Sequence, residues 1–372
     1  MKTVLKLLIV ISFITSVVTS GMANSDELIS CEEISQLDTG GGAYALTISD
    51  NYLYVCDSLD DTPGGLVIID ISDPTNPIKI ESFDGGFPLD VTVRNNIAYV
   101  ADFTDGLEII NVSDPSNPVL LGSYNPLDDM YTTCVKVLGD YAYVGDIHHG
   151  LFKVNIADPS NPTYVGSIPY YSCPSLDVSP DLLITVNHQE FQSGLEIYEP
   201  ENFHRLGTYT PSDADFINPV INGDLVFVVN HHLNTGEVQI INISDPSNPI
   251  LLSQYTGDSI AQQCFVDKDI LYVACSEAGI DILDISNPAQ PKKIGSYSDN
   301  TGVAFDVHVK NDIAYVADAR DGLEIIRLAF KDITSIETMT SITTTTKQVF
   351  GFLFLTCILV IPYLQYLKKR AR

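Results

Sequence analysis

The sequence predicts an all-β fold, a seven-bladed β-propeller of four-stranded antiparallel blades, closed by an N-terminal strand and followed by one C-terminal transmembrane helix. Three observations carry the prediction. A motif recurs every 41 to 44 residues, each period holds four strand-like runs, and both chain ends are apolar. The 372 residues are 45% hydrophobic and 18% charged, with 24 Gly and 20 Pro to punctuate turns, as a globular repeat chain requires.

The first element is residues 1–23, read as a signal peptide. Lys2 and Lys6 precede an apolar run from Leu7 to Val18, and small residues offer cleavage after Ser20 or Ala23. That run is shorter than the ~20 residues of a membrane span, which argues against an uncleaved anchor. The propeller is expected over 24–330. Its motif reads GLVIIDISDPTNP at Gly65, GLEIINVSDPSNP at Gly106, GLFKVNIADPSNP at Gly150, EVQIINISDPSNP at Glu237 and GIDILDISNPAQP at Gly279. Weaker copies begin at Gly194 and Gly322.

Within the second copy, Asp90–Val93 alternates and Ile97–Ala101 follows an Asn95-Asn96 turn. Leu107–Val112 is continuously apolar, and Val119–Tyr124 ends the unit. Such continuous runs belong to strands covered on both faces. The Asp-Pro-Ser/Thr-Asn-Pro segment is turn chemistry, because Pro sets φ while Asp and Asn bond nearby amides. The seventh copy stops at Phe330 without a fourth strand, whereas Glu33–Thr39 resembles one. An N-terminal strand that completes the last blade would close the ring and remove an open edge.

Residues 331–348, rich in Ser and Thr, read as a solvated stalk. Val349–Leu367 carries no charge and is long enough to span the hydrocarbon core, so it is the expected transmembrane helix. The basic residues of 368–372 favour the cytoplasmic side. Together the ends predict a type I protein of the plasma membrane, its propeller on the cell surface and its C-terminus in the cytoplasm.

Lys and Arg number 19 against 48 Asp and Glu, a formal charge of −29, which opposes contact with nucleic acid. No zinc-binding spacing and no catalytic motif is present, and no cofactor is expected.

The repeated copies resemble the LVIVD-repeat family of β-propellers, found in bacterial and archaeal surface proteins. The resemblance spans about residues 33–330, and Leu66-Val67-Ile68-Ile69-Asp70 nearly spells the family's name. It implies the propeller fold and no particular reaction. The fourth copy departs most, with Glu199-Pro200-Glu201-Asn202 replacing the usual turn. The absence of Trp separates the chain from propellers with Trp-Asp repeats.

Candidate binding residues fall on one face. His148, His149, His188, His231 and His232 occupy the connections between second and third strands of three adjacent blades. They form either a metal or ligand site, or turns that simply tolerate polar residues. Asp90, Asp177 and Asp306 begin innermost strands at the channel mouth, with Asn218 and Gln263 in comparable places and His308 beyond Asp306. This polar ring either binds a cation or substrate, or only solvates the channel and caps amides.

Asp102, Asp105, Asp318 and Asp321 are assigned to hairpin turns. Asp70, Asn111, Asn155, Asn242 and Asp284 are assigned to turn hydrogen bonding. Asn111 and Asn242 also head glycosylation sequons. Of the six cysteines outside the apolar ends, Cys134 and Cys173 lie where they could pair. Cys264 and Cys275 sit diagonally across a hairpin, where a bridge is strained.

The leading expectation is a surface-anchored binding or adhesion module for an extracellular protein or glycan. The alternatives are an ectoenzyme working at the channel mouth or the His-bearing face, and an architectural envelope protein.

Overall fold

Alternating side chains along each strand supply two apolar faces, and stacking blades around a ring buries both. The computed structural model describes residues 28–331, apart from 59–63, 128, 170–171, 190–191, 213, 232–235, 300 and 320. The expected signal peptide, the transmembrane helix, the basic tail and all of the stalk but Lys331 lie outside the described residues.

The described residues form seven four-stranded antiparallel sheets. In each, the first strand is innermost and the fourth outermost. The innermost strands are Ala43–Ser49, Pro88–Arg94, Thr132–Leu138, Leu176–Val178, Phe216–Asn222, Gln263–Asp267 and Ala304–Lys310. The turn Asn95-Asn96 has positive φ at both residues (52° and 60°), the tight hairpin geometry for which Asn is suited.

The core is divided into seven apolar layers, one between each pair of neighbouring blades. In blade one, Tyr54, Cys56, Leu66 and Ile68 pack against Val91 and Val100 of blade two. Their sequence neighbours Leu53, Val55, Val67 and Ile69 pack the other way, against Tyr315, Leu323 and Ile325 of blade seven. This strict alternation is the period of two that strand geometry imposes. A register shift recurs where the third strand meets the fourth, as at Ile68/Ile69, Ile109/Ile110 and Ile282/Leu283. One irregularity thus sets the twist of successive blades.

The ring closes as the incomplete seventh copy requires. Strand Ile29–Leu37 pairs antiparallel with Gly322–Phe330, from Ile29↔Phe330 to Leu37↔Leu323. The strand lies earlier than the expected Glu33–Thr39. Ile29 draws it forward, because its side chain is fully buried among residues of blades six and seven. Asp306 adds a polar clasp at the opposite seam, accepting the Leu46 amide of blade one at 2.9 Å.

The departure in copy four has a counterpart in copy three. Six copies place Ile in the middle of the third strand, and copy three places Lys153 there. Lys153 is buried, and its Nζ donates to the carbonyls of Pro200 (2.9 Å) and Glu201 (2.8 Å) in the altered turn. The ammonium also lies 4.3 Å from the centre of the Tyr141 ring, and Tyr143 donates its hydroxyl to Pro200.

Candidate functional site

Innermost strands turn alternate residues toward the axis, so positions two apart form successive layers of the channel wall. Asp90 and Asp306 stand opposite the penultimate residues of their second strands and Gln263 opposite the last of its own, in the layer nearer the mouth. Lys136 and His308 stand two residues deeper, opposite Tyr143 and Tyr315. Asp177 also pairs deeper, opposite Ile184, because the innermost strand of blade four is only three residues long. All six line one cavity of about 420 Å³, together with Asn218. Seven-fold convergence therefore unites the candidate ring expected at the mouth.

The ring carries three carboxylates against one ammonium. Asp90 Oδ2 accepts the Lys136 ammonium at 2.9 Å and the Val135 amide at 2.9 Å. Asp177 accepts the amides of Ile221 and Val178, each at 2.8 Å. Asp306 accepts Leu46 and Val307 at 2.9 and 2.8 Å. Each carboxylate thereby ties its blade to the next and still presents lone pairs to the cavity.

Burial pushes the Asp177 and Asp306 carboxyls above the usual carboxylate range. Burial alone would lower the Lys136 ammonium, but contact with Asp90 overrides it and holds the group above its ordinary value. Burial also holds the His308 imidazole below its ordinary value, against the opposing pull of Asp306. His308 lies over Phe265, ring centres 4.7 Å apart, and Tyr44 meets Phe305 at 4.8 Å beside the mouth.

The outer layer of the cavity, Asp90, Gln263 and Asp306, pairs with the ends of second strands, so the mouth shares a face with the second-to-third connections. His148 and His149 occupy one such turn, where Asp146 Oδ1 accepts both their amides (2.7 and 2.6 Å) and contacts His149 Nδ1 at 3.0 Å. His148 meets Tyr131 edge-on at 4.9 Å, and Tyr131 packs on Phe103 at 4.8 Å. His231 follows the second strand of blade five, its Nε2 2.7 Å from the Ala261 carbonyl. His188 lies near the end of its second strand, and His232 is outside the described residues. Among the described residues, no three His, Cys, Asp or Glu side chains converge to hold a metal ion.

The remaining candidates are local. Thr104 and Asp105 donate their amides to Asp102, and Asp321 donates to Asp318, as hairpin turns require. Asn111 and Asn242, the sequon residues, accept the amides of Ser113 and Ser244, each at 2.9 Å. Asp70, Asn155 and Asp284 accept in the same way. Cys56, Cys134, Cys173, Cys264 and Cys275 are buried free thiols. Cys134 and Cys173 are buried side by side between blades three and four, and their contact together with burial raises the Cys173 thiol well above its ordinary value. Cys264 and Cys275 share one apolar layer.

Sequence reasoning passed over Lys136, Tyr44, Phe265 and Phe305. Lys136 was discoverable, because it holds the same repeat position as His308 and Thr92.

These features define a seven-bladed β-propeller with a polar, acid-rich channel that opens on an aromatic face. The chain belongs to the LVIVD-repeat family, whose model matches residues 40–85, 85–126, 131–169, 220–257, 260–299 and 301–328. The fourth copy is the one without a match, in keeping with its altered turn. No individual curated protein matches the sequence.

Among solved structures, the chain is similar to Kuenenia stuttgartiensis hydrazine synthase (12% identity, TM-score 0.63, covering 80% of this chain and 99% of that one). It is also similar to the WD40 domain of Toxoplasma gondii coronin (13%, 0.61, 83% and 88%) and to the computationally designed Ika8 protein (12%, 0.56, 80% and 100%). At these identities the likeness is one of fold.

Proposed function

We propose that the chain is a membrane-anchored interaction module of the cell surface, and that it engages a protein partner through the face where the channel opens. The observation that carries this reading is the asymmetry of the two faces. One gathers the cavity mouth, the Tyr44–Phe305 pair and the Phe103–Tyr131–His148 cluster. Aromatic groups around a pocket are the usual anchors of protein recognition. The other face repeats one Asx-turn, in which Ser116 and Ser160 each bond the preceding Asp through both amide and hydroxyl. Groups already satisfied within their own turn offer a partner little.

The apolar ends and the acidic composition support the surface location. Enzymatic activity has no comparable support, since fold alone does not choose a chemistry. The test is capture by the full-length chain. Tyr44→Ala, Phe305→Ala and His148→Ala should each reduce capture with little change in melting temperature, whereas Ser116→Ala and Ser160→Ala should leave it intact. Loss confined to the serine variants would place the working surface on the opposite face.

A further inference from the structure

The carboxylates of the channel outnumber the cations that face them. Lys136 is committed to Asp90 at 2.9 Å. Among the described residues, no Lys or Arg lies within ion-pair distance of Asp177 or Asp306, though both line the same cavity. His308 is no substitute, since burial disfavours its protonation. Asn218 donates its Nδ2 to the Gln262 carbonyl at 2.8 Å, which leaves its side-chain oxygen as an acceptor. The Phe265 ring adds a π face beside His308. This lining offers acceptors and an aromatic surface to a positive charge, with room for a short aliphatic stem. A bare metal ion is a poorer fit, because the acidic and imidazole groups do not converge on one point.

We propose that the channel binds a primary ammonium group on an aliphatic stem, with the Asp177 and Asp306 carboxylates of its wall as the acceptors. The ammonium belongs either to a free small amine or to a lysine side chain of the partner. The assignment rests on the channel face being the working surface.

Isothermal titration of the full-length chain with 1,4-diaminobutane, and with 1,4-butanediol as the uncharged control, tests it. The diamine should bind and the diol should not. Asp177→Asn and Asp306→Asn should each weaken the diamine roughly tenfold, and Lys136→Met should strengthen it by a similar factor, because it removes a competing cation. Thr47→Asp adds a carboxylate to the wall without breaking the Lys136–Asp90 pair, and should strengthen binding as well.

Equal heats for diol and diamine, no diamine binding to the wild type, or weaker binding in both Lys136→Met and Thr47→Asp would overturn the proposal. Saturating diamine should displace a captured partner if the partner supplies the ammonium, and should leave capture intact if the natural ligand is a free amine. Absence of diamine binding while Tyr44→Ala and Phe305→Ala still abolish capture would remove the amine assignment alone. Diamine binding with normal capture by those two variants would remove the partner-binding face alone.

Discussion

Lys153 stands where every other copy has Ile, and its environment shows why the exchange is tolerated. The buried ammonium serves two carbonyls of a turn that, in copies one, two, three and five, takes the Asp-Pro form and satisfies itself. Burial lowers its proton affinity, so the cation is retained by those hydrogen bonds and the neighbouring rings. Lys153→Met should destabilise the protein by about 1–3 kcal/mol in denaturant unfolding, the cost of leaving buried carbonyls unpaired; an unchanged midpoint would contradict this.

Glu324 gives a residue-scale pH effect. Burial, followed by the charges of Asp299, Asp318 and Glu33, pushes its carboxyl up to about 8 from an ordinary value of 4.5. The folded state thus holds this proton more tightly than the unfolded chain. Its contribution to stability is full below about pH 4.5 and declines as the pH rises to about 8, by on the order of a few kcal/mol. Glu324→Gln should flatten that decline and raise the melting temperature at pH 8. A variant with the same pH profile as the wild type would show that the proton is held elsewhere.

At the scale of the element, the outermost strands depend on close approach. Gly207 sits where an added Cβ would collide with the Pro246 carbonyl of the next blade, a contact that backbone alone must relieve. Gly207→Ala should therefore lower the melting temperature by several degrees, at roughly 2–4 °C per kcal/mol for a domain of this size class. No shift would mean that the blades slide freely past one another.

The N-terminal strand is the other dependent element. Deleting residues 28–37 exposes the whole edge of Gly322–Phe330 and removes Ile29 from the core, so the variant should aggregate or fail to melt cooperatively. Retention of the wild-type transition would contradict closure by this strand.

Most of this architecture was legible from the chain. The period set the blade count, the missing fourth strand foretold closure, and alternation aligned Asp90, Asp306 and His308 toward one axis. What stayed hidden depends on contacts between copies. The Lys153–Pro200 bond joins two departures 47 residues apart. The depth of Asp177 follows from the shortened strand of blade four, which no motif marks. Ile29 was missed because only the polar half of its strand resembles its counterparts.

For the whole molecule, the proposed orientation and the binding face are one question, since an anchored end would determine what the channel meets. With the propeller outside, protease added to intact cells should release it as a soluble fragment while a tag after Arg372 remains protected. Digestion of the tag would reverse the topology. The central claim is that the channel face, and not the face of repeated turns, is the working surface. Site-specific photo-cross-linking on intact cells tests it most directly, with a photoreactive phenylalanine analogue placed in turn at Tyr44, Phe305, Ser116 and Ser160. Adducts to one common partner from positions 44 and 305, with none from 116 and 160, are the expected result. Adducts only from 116 and 160 would contradict the account.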